Sequence, residues 1–96
     1  MKAMAMSVRG MLLGVSEDKD FESGAVIGVR VDLGVRDETG RFRQQSYKIR
    51  GAAVGQFTAY MDDVVTLKLT NVSINSYMAG NRPAISIKAD NAEIDE

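Results

Sequence analysis

Cations and one aromatic ring gather on one side of a central stretch of the chain: Arg30, Arg36, Phe42, Lys48 and Arg50. Ammonium and guanidinium groups hold phosphates, and an exposed ring stacks on a nucleobase, so these residue types together describe a surface for a single-stranded nucleic acid. Lys19 and Phe21 upstream, with Tyr77, Asn81 and Arg82 downstream, add groups of the same kinds in stretches read as loops. For any one cation, a solvated outer face that prevents edge aggregation is the plainer reading. The cluster carries more weight than its members.

Chemistry of other kinds lacks its residues. The chain has no cysteine and no histidine, which removes thiolate nucleophiles, the commonest zinc ligands and every imidazole triad. The carboxylate pairs Glu17/Asp18, Asp37/Glu38 and Asp62/Asp63 fall in expected turns and read as solvated acids. No phosphate loop, nucleotide-binding glycine fingerprint or calcium loop is present. The expectation is a protein that is not an enzyme and uses no cofactor and no metal.

The net charge of −1 argues at first against a polyanion partner. Its distribution does not. Asp90, Glu93, Asp95 and Glu96 lie in the last seven residues, leaving residues 1–89 with twelve bases against nine acids, a net of +3. We therefore divide the chain into a mildly basic domain, residues 1–89, and an acidic C-terminal tail, residues 90–96. At 45% hydrophobic and 26% charged, 96 residues make one folded domain. No stretch approaches the roughly 20 apolar residues of a membrane span, and no cleavage site follows the N-terminal apolar patch, so the expectation is a cytoplasmic protein without a membrane partner.

The elements that must position the candidate residues can be read in order. Ala25, Ile27, Val29, Val31, Leu33 and Val35 alternate with polar residues or glycine, the pattern of a half-buried strand. A second strand runs from Arg41 to Arg50. A three-residue loop of Glu38, Thr39 and Gly40, with glycine in the left-handed position of a bulge, joins the two. In that register facing residues sum to 78: Val31 meets Tyr47 and Val29 meets Ile49 on the core side, while Arg30 faces Lys48 and Arg36 faces Phe42 outside. A four-residue loop would set Lys48 opposite buried Val29.

Around this hairpin, residues 4–15 read as a first strand, with Gly10 and Gly14 permitting sharp bending, followed by a loop from Ser16 to Gly24. Val54, Phe57 and Met61 suggest a short amphipathic helix over residues 52–62, which Gly55 weakens. Val64 to Ile74 reads as a strand with a bulge near Asn71, Asn75 to Pro83 as a loop, and Ala84 to Ala89 as the last strand. This order predicts an all-β, five-stranded OB-fold barrel with one short helix between strands 3 and 4. Such folds bind oligonucleotides over the second and third strands and the flanking loops. Tyr47, Phe57 and Tyr60 are expected in the core.

The chain resembles the small single-stranded-DNA-binding proteins of filamentous phages and related integrated elements. Its size, the missing catalytic set, Ser23-Gly24 leading into a long second strand, the hairpin from Val29 to Arg50 and the later loop with Tyr77 and Arg82 carry the likeness. The resemblance implies a homodimer that coats replicating single-stranded DNA without a cofactor. By position it maps the binding surface onto Phe21, Arg30, Phe42, Lys48, Tyr77 and Arg82. Bacterial single-strand binders can carry an acidic tail that recruits partner proteins. Asp90 to Glu96 is similar in character, though a disordered, solubilising tail is the reading we favour. A second function is kept open, an OB-type interaction module for protein, with Met4, Met6 and Met11 as adaptable contact residues. RNA in place of DNA also stays open.

Overall fold

The computed structural model describes residues 4–95; Lys2 and Glu96, which entered the charge argument, lie outside them. Seven strands follow in order: β1 (Ala5–Lys19), β2 (Val26–Arg36), β3 (Phe42–Ile49), β4 (Val64–Thr70), β5 (Ser73–Ala79), β6 (Arg82–Ala89) and β7 (Asn91–Asp95). They form one sheet in the order β5-β6-β3-β2-β1-β4-β7. The architecture is mostly β and OB-like, but the sheet has seven strands and is not closed, which corrects the five-stranded barrel.

The central hairpin forms as its turn chemistry dictates. Val29↔Ile49, Arg30↔Lys48, Val31↔Tyr47 and Arg36↔Phe42 are register partners. Gly40 has φ +82°, a conformation open to glycine at little cost, and its N–H donates to the Asp37 carbonyl at 3.0 Å. The Asp37 carboxylate also accepts from the Thr39 hydroxyl at 2.6 Å and from the Arg43 guanidinium at 2.8 Å. These bonds, the Thr39 hydroxyl first, hold the Asp37 carboxyl below its usual range.

β1 serves two partners and bends between them. Its first half, from Ala5 to Met11, pairs with β4, and from Met11 onward it pairs with β2, with a register shift between Leu12 and Gly14. It also runs to Lys19, so the expected loop from Ser16 contracts to the turn between Lys19 and Val26.

The second half of the chain departs further from expectation. Two three-residue 3₁₀ helices, Val54–Gln56 and Thr58–Tyr60, replace the amphipathic helix, yet Phe57 between them is buried as expected. The expected strand from Val64 to Ile74 is two strands, because Asn71 takes a left-handed φ of 57° and turns the chain between β4 and β5. The expected loop from Asn75 to Pro83 is a hairpin of β5 and β6, and the acidic segment is not a disordered tail: Asn91–Asp95 pairs with β4 as β7. Thr70↔Asn91 in one ladder and Ser73↔Lys88 in the other share one register, so β4–β7 and β5–β6 are the two halves of a single bent ribbon. At the bend the Asn71 amide donates to the Asp90 carboxylate.

The core lies on the odd-numbered face of β2 and β3. Val29, Val31, Leu33, Tyr47 and Ile49 meet Leu12, Phe57, Val65, Leu67, Leu69, Ile87 and Ala92 there, each fully or nearly buried. Burial of such an aliphatic side chain stabilises the fold by about 1.5–3 kcal/mol. Burial also pushes the Tyr47 phenol up. Ile27 shares this phase but is exposed, since the β1–β2 register shifts between Asp18 and Lys19 and the strand end leaves the core.

Candidate nucleic-acid interface

Arg30, Lys48 and Lys88 form a row across three neighbouring strands. Arg30 on β2 pairs in register with Lys48 on β3, which pairs in register with Lys88 on β6, and all three are exposed. Residues paired this way share a face, so alternation points the row outward while Val29, Val31 and Ile87 point inward. The Arg30 guanidinium is fixed at both ends: Nε donates to Asp32 Oδ1 at 3.3 Å and Nη2 to the Ser46 hydroxyl at 3.1 Å. Ser46 in turn donates to Asp32 at 2.5 Å, completing a triangle on the outer face.

β3 and β6 run parallel and pair only over Tyr47–Ile49 and Ile87–Ala89. Ahead of that stretch no ladder joins them, and a groove of about 820 Å³ opens between them. Arg30, Arg43, Ser46, Lys48, Tyr77 and Ile85 are among its lining residues, and among the described residues no carboxylate lines it. Tyr77 stands on β5 opposite Ala84 and is 52% exposed, reaching the groove from the far side. The result is a basic trough with a ring on its rim.

Lys48 also lines a second, smaller pocket of about 150 Å³, with Lys19, Arg50, Lys88, Asp20 and Phe21. The turn above it is self-capped: Asp20 Oδ2 accepts from the Ser23 hydroxyl at 2.8 Å and the Ser23 N–H at 3.3 Å, and the Gly24 N–H donates to the Asp20 carbonyl at 2.9 Å. These bonds, the Ser23 hydroxyl first, hold the Asp20 carboxyl below its usual range. With its backbone fixed so, the turn presents Phe21 at 100% exposure.

Phe42 lies on the outer face at 52% exposure, across from Arg36, and its ring covers the position where Gly34 has no side chain. A Cβ at Gly34 would collide with the Phe42 ring. Arg36 donates to the Gly40 carbonyl at 3.1 Å, toward the hairpin tip. The sequence-derived candidates therefore divide by place. Arg30, Lys48 and Tyr77 meet in the groove, and Lys19, Phe21, Lys48 and Arg50 meet in the pocket. Arg36 and Phe42 sit together farther along the hairpin, and Arg82 opposes Ala79 at the tip of the β5–β6 ribbon, lining neither cavity.

Lys88 and Arg43 are the cations that sequence reasoning left out. Lys88 had a visible signal, since it alternates with Ile87 and so faces outward like Lys48. Arg43 is on the inward phase, but β3 passes the end of the core there, and its side chain swings out to Asp37.

No family model matches the sequence, and no curated protein matches it. Among solved structures, the fold is similar to the crystal structure of the mitochondrial single-stranded DNA binding protein Rim1 of S. cerevisiae. The identity is 9%, with 98% of this chain and 96% of that chain covered, at a TM-score of 0.59. At that identity the likeness is one of fold.

Proposed function

We propose that this chain is a non-catalytic single-stranded nucleic-acid-binding protein, with DNA as its ligand. The observation that carries the reading is the convergence of outward cations and accessible rings on one face of β2, β3, β5 and β6. Lys19, Arg30, Lys48, Arg50 and Lys88 hold phosphates along the groove and pocket, Phe21, Phe42 and Tyr77 stack on bases, and Arg36 and Arg82 extend the basic face at its two ends. The similarity of fold to a protein described as binding single-stranded DNA supports the same reading. A setting in phage or mobile-element replication, and a homodimeric state, are proposed on the resemblance seen in the sequence.

Gel shift of an oligothymidine over a salt series tests this. Expected is binding that weakens with salt, with a log–log slope of roughly −2 to −4, as three to five released counterions on a single strand would give. Absence of binding at low salt overturns the proposal. An RNA oligomer of equal length, bound as tightly, would widen the ligand class to both nucleic acids.

A further inference from the structure

The cations of this chain differ in what holds them. Arg30, Arg43 and Lys68 form ion pairs with Asp32, Asp37 and Asp95. Arg9 donates to the Thr66 hydroxyl and Arg36 to the Gly40 carbonyl. Among the described residues, Lys19, Arg41, Lys48, Arg50, Arg82 and Lys88 have neither an ion pair nor a side-chain hydrogen bond, and four of these six line the one 150 Å³ pocket. Two acids line it as well, Asp18 and Asp20, but neither pairs with a cation, and the Asp20 carboxylate is taken up by Ser23. Four like charges held together with no bound partner repel one another, and an anion placed among them removes that repulsion.

The pocket is small beside the groove, about 150 Å³ against about 820 Å³, and has room for a phosphate group. Its position is informative too, because Lys48 lines both this pocket and the large groove, so the pocket continues the groove and is bordered by Asp20 and Phe21 of the turn after β1. Its charge favours a terminal group over an internal one. A phosphomonoester carries about −1.5 to −2 at pH 7, whereas each internal diester carries a single charge.

We propose that the pocket formed by Lys19, Lys48, Arg50 and Lys88 receives the terminal phosphate of a nucleic-acid strand, with Phe21 stacking on the last base. The inference rests on the single-strand reading above and adds to it: the chain recognises a phosphorylated strand end as well as coating the strand behind it.

The test compares four forms of one twelve-residue oligothymidine, 5′-phosphorylated, 3′-phosphorylated, unphosphorylated and circularised, with inorganic pyrophosphate as a fifth probe read by thermal shift. One of the two phosphorylated ends should bind about tenfold more tightly than the unphosphorylated and circular forms, the effect of one or two added charge-assisted hydrogen bonds. That preference should shrink as pH falls through about 6, where the free monoester takes up its second proton. Lys88→Gln and Lys19→Gln, both on exposed positions, should abolish the preference, so that each variant binds the phosphorylated and unphosphorylated oligomers with equal affinity. Equal affinity for all four forms overturns the inference and leaves the single-strand reading standing. If no oligomer binds but pyrophosphate raises the melting temperature of the parent and not of the Lys88→Gln variant, the anion pocket stands and end recognition falls. If neither binds, both fall.

Discussion

One bent ribbon, two different fates: the β4–β7 half and the β5–β6 half share a single register, yet one is built into the core along its length and the other reaches it only through Ile87 and Ala89 at the end of β6. In β4, Val65, Leu67 and Leu69 are buried and alternate with exposed or half-buried residues, and Ala92 of β7 is buried beside them. In β5 all seven residues are exposed, with Ile74, Tyr77 and Met78 among them. β4 has β1 on its other side, whereas β6 rests on β3 through three residue pairs only and β5 lies at the sheet's edge. Pairing alone does not bury a strand. A second neighbour and a facing layer do, and the half that lacks them keeps a ring and unpaired backbone free for a ligand.

Substitutions that separate the halves sharpen this contrast. Leu67→Ala should give the largest effect, a loss of about 2–5 kcal/mol in chemical denaturation, because it empties a fully buried site; oligomer affinity below the melting point should hold. Tyr77→Ala should do the reverse, weakening oligothymidine binding by about 1–3 kcal/mol in fluorescence titration and leaving the denaturation midpoint nearly unchanged. Met78→Ser on the free half should shift stability by no more than about 0.5 kcal/mol, since that side chain is already 65% exposed. A large destabilisation from Met78→Ser would break the contrast.

Acid supplies a control that belongs to neither half. Asp20 and Asp37 have folded-state values held below the ordinary 3.8 by hydrogen bonds in their turns. Their contribution to stability is therefore complete above the unfolded value and is lost as pH falls through the lower folded values. Amide exchange at pH values below the ordinary 3.8 should show the Asp20–Gly24 and Asp37–Gly40 turns loosening, with β4 and β5 affected alike. Selective opening of β5 would place an acid-sensitive contact in the ribbon itself.

The legibility of the sequence followed the same divide. The β2–β3 register could be read to the residue, because Gly40 fixed the turn and Val29, Val31 and Leu33 fixed the buried face. The outward placement of Arg30, Lys48 and Phe42 came with it. β5 gave no signal, since a strand exposed on both faces needs no apolar period, and its Ser, Asn and Tyr residues resemble a loop. β7 had the alternation, Ala92 and Ile94 inside against Asn91, Glu93 and Asp95 outside, but four acids in seven residues masked it. At Asn71 the phase slip was visible. Whether it meant a bulge or a corner depends on φ, and asparagine tolerates the left-handed region that makes the corner. The five-strand expectation failed at this corner, at the unpatterned β5 and at the acidic β7.

The ring at position 42 occupies a space that exists only because position 34 ends at its α-carbon. These two sites, eight residues apart in sequence, are thus sterically coupled. A lineage that gains a methyl at 34 must tilt or surrender the aromatic, and one that surrenders the aromatic uncovers bare backbone in midsheet.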